Sequence, residues 1–194
     1  MRRRYIIIIS SVFIVVIFFC KFGYAERVND GFETGRIIES RYFTICIENG
    51  VNLEELTMKL SVPASIKAII KEPVSDSYNL PDQVDILFLA VSEIMDTRLK
   101  NFKGSLKICR NASRLSDVAE RLFGQEIQAG GFYVAAIDTL YIDAENVTLN
   151  ILGHELSHVL QTHYFIVPPP QTIQEVLAGY VEYQLRKCTH SLPK

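Results

Sequence analysis

Between positions 147 and 163 the chain carries apolar residues at helical spacing, Leu149, Leu152, Leu156, Val159 and Leu160, which predict a helix with one face in a core. His154 and His158 stand off that stripe, four residues apart. The run Pro168-Pro169-Pro170 cannot continue the helix, and a second helical pattern follows over 172–186. Two helices joined by so short and stiff a connection are expected to pack antiparallel, which fixes the last 50 or so residues before any strand is placed.

Ahead of that hairpin the pattern is mixed. Tyr42, Phe43, Thr44, Ile45 and Ile47 predict a strand over 41–48, ended by Asn49-Gly50. Asn52 with Glu55 opens a short helix that stops before Pro63, and Ile66 to Ile70 reads as a further strand. Pro81 begins a long helix through Leu99, a short strand covers 105–109, and Asn111 or Ser113 caps a helix that Gly124 closes. Gly130-Gly131 breaks the chain before 132–143, a bent strand or a tight hairpin. Strands in front and helices behind, without regular βαβ alternation, predict an α+β domain with a small mixed sheet packed against helices.

Residues 1–25 are a separate matter. Arg2, Arg3 and Arg4 precede an apolar run from Tyr5 to Cys20, and Gly23 and Ala25 supply the small residues of a cleavage site, so 1–25 reads as a signal peptide cut after Ala25. The alternative is an uncleaved N-terminal anchor; both place the domain outside the cytoplasm, exported to a periplasm, secreted or held on the outer side of a membrane. Residues 26–40, polar and aperiodic, read as a lead-in, and 41–194 as the folded domain. Loss of Arg2, Arg3, Arg4 and Lys21 takes Lys plus Arg from 20 to 16 against 22 acidic residues, a net charge of −6. That sign disfavours nucleic acid as a partner, and leaves the N-terminal segment as the only route to a membrane. Cys46, Cys109 and Cys188 remain after cleavage, so an oxidising compartment allows one bridge in any of three pairings, or three thiols. Asn111-Ala-Ser and Asn146-Val-Thr match the glycosylation acceptor pattern, but both stand at expected helix starts, where capping is the expected role.

The chemistry concentrates in Gly153-His154-Glu155-Leu156-Ser157-His158. Residues four apart on a helix lie about 40° apart in rotation and near 6 Å along the axis, so both imidazoles can meet one ion. Glu155 stands beside them, placed to take a proton from metal-bound water without being a ligand. Two imidazoles leave a catalytic zinc site one protein ligand short. Glu175, 17 residues after His158 and on the returning helix, is the expected third ligand, with Glu182 as fallback ligand or as a partner behind one histidine.

The HELSH helix followed by Glu175-Val176-Leu177-Ala178-Gly179-Tyr180 resembles the gluzincin branch of the zincin metallopeptidases, and more narrowly the small peptidase MA-like domains. The resemblance spans roughly 140–186, and departs at Val176, where a small residue often follows the ligand. It implies a zincin-like fold, one Zn2+ ion on His154, His158 and Glu175, and peptide-bond hydrolysis with Glu155 as general base. It further implies that Thr139 to Asp143 is the sheet edge along which a peptide or protein substrate adds as a strand. An oxyanion donor is expected from Tyr180, with Tyr183 and His190 as alternatives. His163 is expected to be a satisfied core or surface histidine. The competing reading is a zinc-binding, non-catalytic module that presents the same edge to a partner.

Overall fold

Five strands form one mixed sheet in the computed structural model, which describes residues 29–191; the expected signal segment and its cleavage site lie outside the described residues. The strands are β1 (Thr34–Glu39), β2 (Phe43–Glu48), β3 (Gly104–Cys109), β4 (Gly131–Val134) and β5 (Thr139–Asp143), in the order β1-β2-β3-β5-β4. β1 and β4 are the antiparallel edges, whereas β2, β3 and β5 run parallel. Parallel neighbours need crossovers. The first carries α1 (Leu53–Lys59), α2 (Ala64–Lys67) and α3 (Leu80–Ile94), and the second carries α4 (Ala112–Phe123). The α+β reading therefore holds, and α5 (Leu149–Tyr164) and α6 (Gln171–Cys188) bring the α-helices among the described residues to six.

Strand alternation sorts the core into two layers. Ile45, Ile47, Leu106, Ile108, Leu140 and Ile142 point to one side, where they meet α3 and α5 through Leu87, Val91, Leu152, Leu156 and Leu160. Tyr141, Cys109 and Phe132 point to the other, onto Leu115, Val118 and Ala119 of α4. The helix starts follow their sequence signals: Asn52, Asn79 and Asn111 each accept a backbone N–H bond two or three positions into α1, α3 and α4, and Gly124 closes α4 at φ 72°.

Several sequence expectations are corrected. The lead-in 26–40 contains β1, and Asp30 within it is buried, accepting bonds from Tyr141 Oη and the Phe32 amide and pairing with Lys107. β1 was illegible because its side chains are almost all exposed; backbone pairing to β2 holds it, leaving no apolar pattern. The strand expected over Ile66 to Ile70 is instead α2, a single turn whose amides bond back to the Pro63 and Ala64 carbonyls. α3 ends at Ile94 rather than Leu99, where Asp96 turns left-handed at φ 51°. Of the two sequons, Asn111 caps α4 as expected, but Thr148 rather than Asn146 caps α5, and Asn146 donates its amide to Asp143. Cys46, Cys109 and Cys188 are free thiols.

The 132–143 segment resolves into a hairpin, β4 and β5 joined through a 3-10 turn at Ala135–Ile137. This overturns the edge assignment for Thr139 to Asp143. β5 pairs with β3 on one side and β4 on the other, and all five of its residues are buried. The edge on that side of the sheet is β4, whose four residues, Gly131 to Val134, carry too little pattern to be distinguished by sequence from the neighbouring strand.

Candidate metal centre

α5 and α6 pack antiparallel, as the proline-interrupted connection requires, with Gly153 of α5 against Leu185 near the end of α6. A Cβ on Gly153 would stand 2.2 Å from Leu185 Cδ1, so the glycine that precedes His154 sets how closely the two helices approach. At the other end of the seam buried Gln161 donates its amide to the Gln174 carbonyl at 3.2 Å. That bond ties α5 to the residue immediately before Glu175. Ser157 Oγ donates to the His154 carbonyl at 2.6 Å, using up its own hydroxyl within the helix.

Within this frame His154, His158 and Glu175 converge. His154 Nε2 is 3.5 Å from Glu175 Oε2 and His158 Nε2 is 3.7 Å from Glu175 Oε1. One ligand atom from each residue lies within 4.8 Å of the other two. Ligands at about 2.0–2.2 Å from a tetrahedral zinc are separated by roughly 3.3–3.6 Å, and the two nitrogen–oxygen spacings, each to a different oxygen of Glu175, are of that order. The donor set, two imidazoles and one carboxylate, suits zinc better than calcium or magnesium, which take oxygen ligands.

The electrostatics agree with a ligand role. Burial, reinforced by the charge on His154, pushes His158 down to about 4, so its imidazole is neutral at physiological pH, the state in which it donates a lone pair to a metal. Glu155 is pushed up to about 8, first by burial and then by the negative charge of Glu175. It retains some solvent contact by area, yet it is enclosed by protein on most sides. A bound cation would pull that value down again.

Two glycines that the sequence shows only as a chain break shape this corner. Gly131 opens β4 directly over Glu155: a Cβ there would stand 2.9 Å from the Tyr141 carbonyl oxygen and 3.2 Å from Glu155 Cγ. Gly130 is equally close to Ile151, one turn before Glu155. At Gly131 the close backbone neighbour leaves no room for a side chain, which lets the edge strand lie this near α5. The glycine doublet was visible as a chain break, but what it approaches is set by the fold.

Glu182 stands outside this group. Its Oε2 faces His154 Nδ1 at 3.8 Å, on the side of the ring away from Glu175, while Oε1 accepts from Arg186. Tyr180 does not join the centre. At about 100° per residue it lies roughly 140° around α6 from Glu175, and it is 49% exposed. Tyr183 is 50% exposed and also off the ligand face, and His190 follows the far end of α6, roughly 20 Å along the axis from Glu175. The reason is periodicity, since only residues three, four or seven positions from Glu175 share its face. His163 is satisfied as expected, with Nε2 2.9 Å from Asp138 Oδ1, which also accepts from Tyr133 Oη at 2.7 Å.

In comparisons with known proteins no family model matches the chain, and neither the curated proteins nor the solved structures give a match.

Proposed function

We propose that this chain is an exported, zincin-like metallopeptidase of the gluzincin type, in which His154, His158 and Glu175 hold one zinc ion and Glu155 is the general base. The observation that carries the reading is the 3.5 and 3.7 Å spacing of two imidazole nitrogens from the two oxygens of one carboxylate on a neighbouring helix. Such an ion, when bound, supplies Lewis-acid polarisation of a peptide carbonyl.

Glu155 follows His154 directly and lies under the edge strand at Gly131, so its carboxylate borders both the ligands and the strand. It takes the proton of the attacking water and returns it to the leaving amine nitrogen. The substrate docks as an added strand along β4 rather than β5, because β4 has β5 on one side only. Gly131 keeps that edge low enough to present a peptide beside Glu155.

The non-catalytic reading, a zinc module that offers β4 to a partner, is favoured by one observation, that Tyr180 turns away from the ligands. A purely structural zinc is normally closed by a fourth protein ligand, and has no use for Glu155. Zinc stoichiometry and cleavage of a mixed peptide library by wild type, Glu155→Gln and Glu175→Ala decide between them. We expect one zinc per chain in wild type and Glu155→Gln, cleavage in wild type alone, and loss of metal in Glu175→Ala. Zinc without cleavage in wild type supports the module, and no zinc in wild type removes both readings.

A further inference from the structure

Beyond the ligands, α6 carries a charged pair whose geometry is divided between two tasks. Glu182 Oε1 accepts from Arg186 Nε at 2.9 Å and from Nη2 at 2.7 Å. Its second oxygen, Oε2, is left facing His154 Nδ1 at 3.8 Å. The other nitrogen of that ring, Nε2, is the one beside Glu175. Each nitrogen of His154 thus faces a carboxylate, Glu182 at 3.8 Å on the Nδ1 side and Glu175 at 3.5 Å on the Nε2 side.

We propose that Arg186 is a positioning residue for the metal centre, holding the Glu182 carboxylate so that it orients His154 with its proton on Nδ1 and its lone pair on Nε2. The inference rests on the zinc reading above and extends it to residues outside the ligand set. Three features support the assignment. Glu182 and Arg186 are one turn apart with the acid on the N-terminal side, the favourable order for a helical pair. Arg is charged at every working pH and fixes one carboxylate oxygen with two N–H donors, which a flexible ammonium does not do. The carboxylate it holds would otherwise swing freely, since Glu182 is only half-buried and has Glu175 one face-repeat away along the same helix.

A neutral imidazole has one N–H and one lone pair, and an acceptor at Nδ1 selects the form that can bind metal through Nε2. Removing partners of this kind lowers metal affinity by about 10–100-fold in characterised sites. The pair is exposed enough that its loss should leave the fold intact.

The test is zinc affinity, measured by competition with a chromophoric chelator on wild type, Arg186→Ala, Arg186→Lys, Glu182→Gln and the Arg186→Ala/Glu182→Gln double variant. The metal-free melting temperature is recorded for each. We expect Arg186→Ala and Glu182→Gln each to weaken zinc binding by about 10-fold or more, Arg186→Lys to recover part of it, and the double variant to be no weaker than the worse single one. Metal-free melting should stay within about 2 °C of wild type throughout. Unchanged affinity in Arg186→Ala, additive losses in the double variant, or a loss matched by a drop in metal-free melting each overturn the positioning role while leaving the ligand set standing. A wild type that takes up no zinc overturns the metal reading, and this inference with it.

Discussion

Gly131 of β4 stands tightly over Glu155 of α5, a Cβ at 131 reaching 3.2 Å from Glu155 Cγ and 2.9 Å from the Tyr141 carbonyl oxygen. The first neighbour can bend away, but the second is backbone of a fully paired strand. Gly131→Ala should therefore push β4 off the helix. We expect a loss of about 1–3 kcal/mol by thermal or urea unfolding, and a fall in peptide cleavage much larger than any fall in zinc affinity. Normal cleavage in this variant would mean that the substrate does not use the β4 edge.

The metal-free centre predicts a pH signature. Glu155, ordinarily near 4.5, is raised to about 8 by burial and then by Glu175, so the folded chain holds its proton where an unfolded chain has released it. Stability from this group is lost as pH rises from 4.5 to 8. His158, ordinarily 6.5, is lowered to about 4 by burial and then by His154, so its contribution is lost as pH falls from 6.5 to 4. The two slopes oppose each other below 6.5, and only the Glu155 loss remains above it. Urea unfolding of EDTA-treated protein should show stability falling between pH 6.5 and 8 in wild type and not in Glu155→Gln. The variant should instead show stability rising from pH 4 to 6.5. A flat wild-type profile above 6.5 would refute the enclosed carboxyl.

Gly153 tests the helix hairpin. In the wild-type background Gly153→Ala gains helix propensity, yet its methyl would collide with Leu185 Cδ1, so a net loss of about 1–2 kcal/mol is expected. Leu185→Ala empties that space at a cost of about 2–4 kcal/mol. Introduced into that background, Gly153→Ala should become neutral or stabilising. Equal effects in both backgrounds would show that the two positions do not meet.

Asp30 tests where the domain begins. Burial raises its carboxyl, but bonds from Lys107, Tyr141 and the Phe32 amide outweigh that and hold it below the usual carboxylate range. Its contribution is therefore present at neutral pH and lost as pH falls through the carboxylate range. Asp30→Ala leaves a buried hydroxyl and a half-buried ammonium unpaired, and should cost about 2–3 kcal/mol at pH 7. A chain starting at residue 41 lacks both this anchor and β1, exposes the edge of β2, and should aggregate where a chain starting at residue 26 stays soluble. Equal solubility of the two would restore the lead-in reading.

The convergence of His154, His158 and Glu175 was legible because it is written in a local period. His154 and His158 are paired by the pitch of one helix, and Glu175 follows from a hairpin that Pro168, Pro169 and Pro170 leave little freedom to arrange otherwise. The same period argues against Tyr180, which sits on the wrong side of α6 from Glu175, so that expectation came from the resemblance and not from the spacing. The edge strand had no such local signature. β4 and β5 are neighbours in sequence and in space, and which of them ends the sheet depends on β3, some 30 residues upstream, inserting beside β5.

Sequence alone determined most of the amphipathic helices, the caps at Asn52 and Asn111 with the stop at Gly124, the α+β mixture of strands and helices, and the convergence of His154, His158 and Glu175, since each depends on periodicity or on nearby chain chemistry. Tertiary structure alone decided that residues 34–39 form a strand, that β4 is the free edge, that Gly131 lies on Glu155, and that Arg186 binds one oxygen of Glu182 while the other faces His154. Those facts rest on backbone pairing and on approach between distant segments, and neither leaves a repeat in the residues that make it.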